Sequence, residues 1–229
     1  MFGRRLGVGI GVLCVAAAFL LAASCGGGGA QSEMRFLNAS PDLGTVNVLL
    51  DTATVASSIG YATATDYFAV KSGSRHLQVE PVGTTTNVID QNVNISDSSQ
   101  TTVIAANFAA NIGTIVLTDS TTAPTSGDAQ IRVVNASPSL SGGADIYIVT
   151  PGTDLSTVQP VAGGLAFESA TGYTSETAGT YEIFFTVPGS KFAYLDSGPV
   201  SFSSGQNRTI VALNGAAGGY AILTLADLN

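Results

Sequence analysis

Tryptophan is absent from this 229-residue chain, histidine occurs once, cysteine twice, and charged residues make up only 10 %. Each shortage excludes some chemistry. A Ser-His-Asp triad would have to use His76, which alternates with Leu77 and Val79 on a strand-like segment and so points to solvent. No Gly-x-Ser-x-Gly elbow is present to offer a nucleophile. One His and two Cys, of which Cys25 reads below as a lipid site, cannot supply a tetrahedral zinc set. No Asp-x-Asp-x-Asp-Gly loop is present for calcium. Asp42, Asp51, Asp66 and Asp145 remain candidates for a pair of hydrolytic carboxylates, but such a pair normally sits in a cleft rich in aromatics. The composition therefore points away from an enzyme, with an Asp-dependent hydrolase the least favoured reading and no metal or cofactor expected. Sugar stacking would fall to Tyr61, Tyr67, Tyr147, Tyr173, Tyr181, Tyr194 and Tyr220.

The N-terminus holds the most specific signal. Arg4 and Arg5 precede an uncharged apolar stretch, Leu6 to Ala23, that ends in the small residues Ala22, Ala23 and Ser24 immediately before Cys25. A stretch of this length also fits an uncleaved anchor. The glycines at 7, 9 and 11 and the small residues ahead of a thiol favour cleavage and acylation, and the pattern resembles the bacterial lipobox. Ala22 departs from it, standing where Leu is commonest. Cys14 is a weaker lipid site because Leu13 precedes it. Residues 1–24 are thus expected to be a signal peptide, Cys25 the lipidated residue, and 25–33 a Gly-rich tether. Two or more acyl chains suffice for stable anchoring. Gly26, rather than Asp, after the cysteine directs a Gram-negative lipoprotein to the outer membrane. Loss of Arg4 and Arg5 lowers Lys plus Arg from 8 to 6 against 16 Asp plus Glu, taking formal charge from −8 to −10. That sign disfavours nucleic acid.

The remainder is duplicated. Met34-Arg35-Phe36-Leu37-Asn38-Ala39-Ser40-Pro41 returns as Ile131-Arg132-Val133-Val134-Asn135-Ala136-Ser137-Pro138 at an offset of 97. Val46–Leu50 matches Ala144–Ile148 at 98, and Tyr67/Tyr173, Gly73/Gly179, Gln100/Gln206, Ile104/Ile210 and Gly113/Gly219 match at 106. The drift places an insertion near Pro151 to Pro160. Copies of this size suit small sandwich domains, here 34–119 and 130–229 with a linker over 120–129.

Both copies read as β. Arg75–Glu80, Asn92–Ile95 and Asp145–Ile148 alternate polar with apolar. Val103–Ala106 and Ala221–Leu225 are continuous apolar runs, expected near the core centre. The expected fold is all-β: two tandem antiparallel β-sandwiches, immunoglobulin-like or transthyretin-like. In the repeated turn, Pro41 and Pro138 hold Ser40 and Ser137 extended, while Asn38, Asn135 and the serines can satisfy loop backbone groups. This is a structural role. Arg35 and Arg132, three positions before each Asn, are expected to pair with an acidic residue of their own copy.

The strand, the Asn-Ala-Ser-Pro turn and the following strand with Asn47 or Asp145 resemble the bacterial domain of unknown function 4397 family, over both copies. The second copy, with Asp145-Ile146-Tyr147, is nearer the family pattern than Val46-Asn47-Val48-Leu49. The resemblance implies an extracytoplasmic β-sandwich module, often lipid-anchored or secreted and often tandem, and no reaction. The expectation is a non-enzymatic lipoprotein of the cell envelope, on the surface or in the periplasm, held to the membrane through its acyl chains. Its partner would be an envelope protein, reached by strand-edge pairing, or, alternatively, a glycan.

Overall fold

The computed structural model describes residues 31–215 and 218–228. Cys14, Cys25, the leader and the glycine run lie outside them. Among the described residues no helix is long and apolar enough to cross a membrane.

The first half comprises β1 (Ser32–Asn38), β2 (Val46–Leu50), β3 (Ala53–Ile59), β4 (Thr63–Ala64), β5 (Phe68–Val70), β6 (Gly73–Pro81), β7 (Ile89–Ile95), β8 (Gln100–Ala106) and β9 (Gly113–Asp119). The second comprises β10 (Asp128–Asn135), β11 (Ala144–Val149), β12 (Ala162–Leu165), β13 (Ser169–Ala170), β14 (Thr174–Thr177), β15 (Gly179–Thr186), β16 (Ala193–Phe202), β17 (Asn207–Asn214) and β18 (Tyr220–Leu228). The alternating segments form strands with one covered face: Leu77 and Val79 of β6 are fully buried, while His76 and Gln78, which alternate with them, are not. Between β2 and β3 the chain turns on Asp51 and Thr52, both at positive φ, as a two-residue hairpin turn requires. The corresponding connection in the second half runs from Thr150 to Val161, the predicted insertion, and includes a short 3₁₀ turn at Leu155–Thr157.

Strand order is the same in both halves. One sheet runs β4-β1-β8-β9, with β5 also on β1, and its counterpart β13-β10-β17-β18, with β14 on β10. The other sheets are β3-β2-β6-β7 and β12-β11-β15-β16. The chain is therefore all-β, with two sandwich-like lobes. They are not wholly antiparallel, because β1 pairs β8, and β10 pairs β17, in parallel. Between β1 and β8 the chain builds β2 and β3 in the second sheet, returns to pair β4 and β5 with β1, and crosses again for β6 and β7; a long excursion of this kind is what a parallel pair needs.

Each lobe buries one core between its own sheets. Met34, Phe36, Val103 and Ala105 pack with Val48, Leu77 and Val79 in the first, and Ile131, Val133 and Ile210 with Ile146, Ile183 and Phe185 in the second. A third core joins the lobes, with Leu37, Ile104 and Ile115 against Val134, Val211, Leu213 and Leu225. The β1-β8-β9 and β10-β17-β18 sheets are thus covered on both faces, which explains the continuous apolar runs. The run Ala221–Leu225 is not central as expected. It lies on β18, at the edge of its sheet, and is apolar on both sides because Ile222 packs into the second lobe's own core while Leu223 and Leu225 face the first lobe.

The structure also corrects the repeat register beyond Gly179. Leu37 pairs with Ile104 and Val134 with Val211, so Ile104 corresponds to Val211, and Gln100 to Asn207, at an offset of 107. The extra residue falls where β15 and β16 shift register.

Candidate functional site

The polar chemistry of the chain concentrates at the seam between the lobes. Arg35 lies on β1 on the face that carries Leu37, and Thr102 sits beside it on β8. Arg132 and Thr209 occupy the equivalent places on β10 and β17. Asp119 ends β9, and Asp227 lies near the end of β18. Each arginine makes its closest ion pair with the other copy. Nη2 of Arg35 donates to Asp227 Oδ1, and Nη2 of Arg132 donates to Asp119 Oδ1. The own-copy pairs, Arg35 with Asp119 and Arg132 with Asp227, stand farther apart at 4.0 Å. The expected own-copy pair is therefore present but is the longer of the two, because each arginine projects from the sheet face that meets the other lobe, where that lobe's last strand supplies the nearer carboxylate.

Four charges alternate around this ring, and further groups satisfy them. Arg35 Nε donates to Thr102 Oγ1 at 2.7 Å and Nη1 to the Ala226 carbonyl at 2.7 Å. Arg132 repeats this with Thr209 Oγ1 and the Thr118 carbonyl, both at 3.0 Å. Asp119 Oδ2 accepts from Tyr67 OH at 2.7 Å and Thr102 Oγ1 at 2.5 Å. Asp227 Oδ2 accepts from Tyr173 OH at 2.8 Å and Thr209 Oγ1 at 2.6 Å. Each guanidinium lies 4.7 Å from the centre of its own lobe's tyrosine ring, within cation–π range. The aspartate side chains are fully buried and the arginine side chains 4–5 % exposed. Burial raises the hydroxyl pKa of Tyr67 and Tyr173 well above the usual value, and a neighbouring aspartate adds to the effect at each. All four ionic groups are matched, so the ring is electrically neutral and its carboxylates are occupied. It fastens the lobes together rather than presenting a reactive group.

In both copies the repeated turn is buried from its asparagine to its serine, and Pro138 is buried while Pro41 is half-buried. Asn38 Nδ2 donates to the Gly44 and Ile59 carbonyls at 2.8 and 3.2 Å, and its Oδ1 accepts from Ser40 N at 3.2 Å. Asn135 donates to the Leu140 and Leu165 carbonyls and accepts from Ser137 N. Pro41 follows this turn, and Pro138 opens a 3₁₀ turn over Pro138–Leu140. Ser137 Oγ donates to Asn214 Oδ1 at 2.5 Å, and Tyr61 OH reaches across from the first lobe to the Asn214 carbonyl at 2.5 Å.

The carboxylates considered for hydrolysis have separate local roles. Asp42 Oδ1 accepts from Ala109 N at 2.7 Å. Asp145 holds the Gly164 and Gly189 amides at 2.6 and 2.7 Å. Asp51 accepts from Arg75 Nη1 and His76 N. Asp66 lines the cleft described next. His76, part-exposed, contacts Asp90 at 2.6 Å, and this hydrogen bond, followed by those from Asn87 and Gln78, lowers the pKa of Asp90. Among the described residues no group of three His, Cys, Asp or Glu could hold a metal ion. Asp119 and Asp227 escaped the sequence reading. Their signal was a third duplicated residue type alongside the repeated Arg and Tyr, at an offset of 108.

Two surface features adjoin this framework. A cleft of about 380 Å³ opens on the seam, walled by residues 62–67 of the first lobe and Leu223–Ala226 of β18, with Arg35 at its base. On the second lobe, Phe192 is 68 % exposed and meets Tyr194 edge-on with ring centres 6.5 Å apart. Tyr194 in turn lies 6.1 Å from Tyr220.

No curated protein matches the chain. Among solved structures it is similar to the carbohydrate-binding module CBMbc (family 26) from Eubacterium rectale Amy13K in complex with maltoheptaose. The identity is 10 %, the match covers 85 % of this chain and 95 % of the other, and the TM-score is 0.27. It is also similar to a family 41 carbohydrate-binding module from streptococcal virulence factors that recognise α-glucan, with 10 % identity, 79 % and 93 % coverage and a TM-score of 0.27. Residues 32–147 match the model of one protein family, a span that takes in both Asn-Ala-Ser-Pro turns and the strand after each. The chain belongs to that family, the domain of unknown function DUF4397.

Proposed function

We propose that this chain is a non-enzymatic, lipid-anchored protein of the bacterial cell envelope that presents two β-sandwich lobes, held as one body, for binding or structural roles. The observation that carries the reading is the use made of the buried ionic groups: Arg35, Arg132, Asp119 and Asp227 are matched to one another across the seam. The chain's strongest electrostatics thereby serve the joint between lobes. The sequence before Ser32 supports the anchor, with an apolar leader, Cys25 and a glycine run as tether. Cys25→Ala is expected to abolish acylation and release the protein from the membrane fraction. Retention of the variant in that fraction would refute the anchor. Protease treatment of intact cells then separates a surface position from a periplasmic one.

A second reading, glycan binding, is favoured by exposed Phe192 beside the half-buried Tyr194 and Tyr220, because an exposed aromatic face can stack on a sugar ring. It predicts retardation on a polysaccharide column that disappears in Phe192→Ala and Tyr194→Ala. Equal retardation of the variants and the parent would remove it.

A further inference from the structure

We propose that the cleft at the seam is a docking site for an extended, basic peptide segment, which adds as a strand to the free edge of β18. The inference rests on the reading of this chain as a binding module and gives that module a place and a ligand class.

Three observations lead there. First, among the described residues β18 pairs on one side only, with β17, and the stretch Leu223–Ala226 forms a wall of the cleft. Natural edge strands are usually shielded by lysine, proline or a strong twist. From Tyr220 to Ala226 this one carries no charge and no proline, and its main-chain groups are available to an incoming strand. Arg35 occupies the end of this edge by donating from Nη1 to the Ala226 carbonyl, which sets a limit to the site.

Second, the duplicated fold treats the equivalent position differently. Ala62 and Glu168 correspond: each has positive φ, 55° and 60°, and each donates its amide to the carbonyl of the turn asparagine, Asn38 or Asn135. The Glu168 carboxylate extends towards the edge strand of the first lobe, so that a Cβ on Gly113 of β9 would lie 3.1 Å from Oε1. Ala62 offers only a methyl group, and the space beside β18 stays open.

Third, the cleft has an uncompensated charge. Arg35 is neutralised by Asp227, whereas Asp66, on the opposite wall, has no ion-pair partner among the described residues. A lysine or arginine on the incoming segment would complement it. The remaining polar side chains on the walls, Thr63, Thr65 and Thr224, suit short neutral side chains beside that basic residue.

The test uses the full-length protein in detergent and the fluorescein-labelled heptapeptide Thr-Val-Thr-Lys-Thr-Val-Thr. Saturable binding by anisotropy is expected, with slowed amide exchange confined to residues 222–226 of β18. Ala62→Glu, which places in the cleft the side chain its twin position already carries at the same φ, should weaken binding at least tenfold. Asp66→Asn should weaken the lysine peptide several-fold and leave a Lys→Gln peptide unaffected. A peptide with proline in place of its central, threonine-flanked lysine should not bind. Should Ala62→Glu fold poorly, exchange protection of Thr224 in the parent protein decides the matter. Binding that ignores Ala62→Glu, protection elsewhere, or no saturation at millimolar peptide would overturn the site. Failure of the envelope reading would appear separately, as an unchanged membrane fraction for Cys25→Ala.

Discussion

Asp227→Asn tests whether the seam is held by the charge ring. In the folded chain Asp227 is the near counterion of Arg35, 192 positions away in the other lobe, and it also accepts from Tyr173 and Thr209. The amide keeps the shape and removes the charge. Arg35 is then left 4 % exposed with only Asp119, 4.0 Å away, which Arg132 already holds. Removing one partner of a buried pair costs about 3–5 kcal/mol. For a domain pair of this size that lowers the thermal midpoint by roughly 6–20 °C. Differential scanning calorimetry supplies the midpoint, and intrinsic tyrosine fluorescence follows the unfolding. Replacing both partners by apolar residues, Arg35→Met with Asp227→Leu, should recover most of the loss, since a packed apolar pair often matches a buried ionic one. A shift below about 2 °C for Asp227→Asn, or no recovery in the double variant, would refute the assignment of the ring as the fastener.

Alkaline unfolding reports the same network from its hydroxyls. Tyr67 and Tyr173 have pKa values raised above 10.0 in the folded chain, so from about pH 10 the unfolded chain releases protons that the folded chain keeps. Stability then falls as pH rises, by at most about 1.4 kcal/mol per pH unit for each tyrosine; Tyr67→Phe with Tyr173→Phe should flatten denaturant midpoints between pH 9 and 11. Glu176 follows the same sign at the acid end: burial, and then Asp128, raise its pKa, so the folded state gains relative stability as pH falls towards the carboxylate range. Glu176→Gln should stabilise at pH 7 by up to about 0.5 kcal/mol and remove that gain, as read from urea midpoints at pH 4 and 7. Asn38→Ala leaves the Gly44 and Ile59 carbonyls without their side-chain donor and should cost about 1–3 kcal/mol, with an equal loss expected for Asn135→Ala; a cost near zero in urea unfolding would show that solvent replaces these bonds.

Much of the fold was legible because burial leaves a period in the sequence. Leu77 and Val79 mark the covered face of β6, and the unbroken run Val103–Ala106 marks a strand covered on both faces. The run does not say what covers the second face, and here it is the other lobe. The same limit hid the closer, cross-lobe partners of Arg35 and Arg132. A strand position gives the direction of a side chain, and an arginine flanked by buried residues must find a counterion, but the identity of that counterion depends on how two separately folded lobes meet. The repeat held the missing clue in Asp119 and Asp227. It was obscured because successive insertions moved the offset from 97 at the arginines to 106 at the tyrosines and 108 at the aspartates.

The distances in the ring bear on how far the lobes depend on each other. Arg35 and Asp119 lie on β1 and β9, the strands on either side of β8 and its Thr102, yet each makes its close ionic contact with the opposite lobe. If the second lobe unfolded alone, Arg35 and Asp119 would retain each other across 4.0 Å, a gap that side-chain rotation can close, so an own-lobe pair is the fallback of a separated lobe. The loss on separation is then less than two bare buried charges would imply. What the fallback cannot restore is the cover over Leu37, Ile104 and Ile115, since these face water as soon as the partner lobe leaves. The apolar core at the seam therefore adds its own adhesion to that of the ring, and the crossed ion pairs also fix the register, because sliding one lobe past the other would part each arginine from its aspartate before the apolar contact is lost.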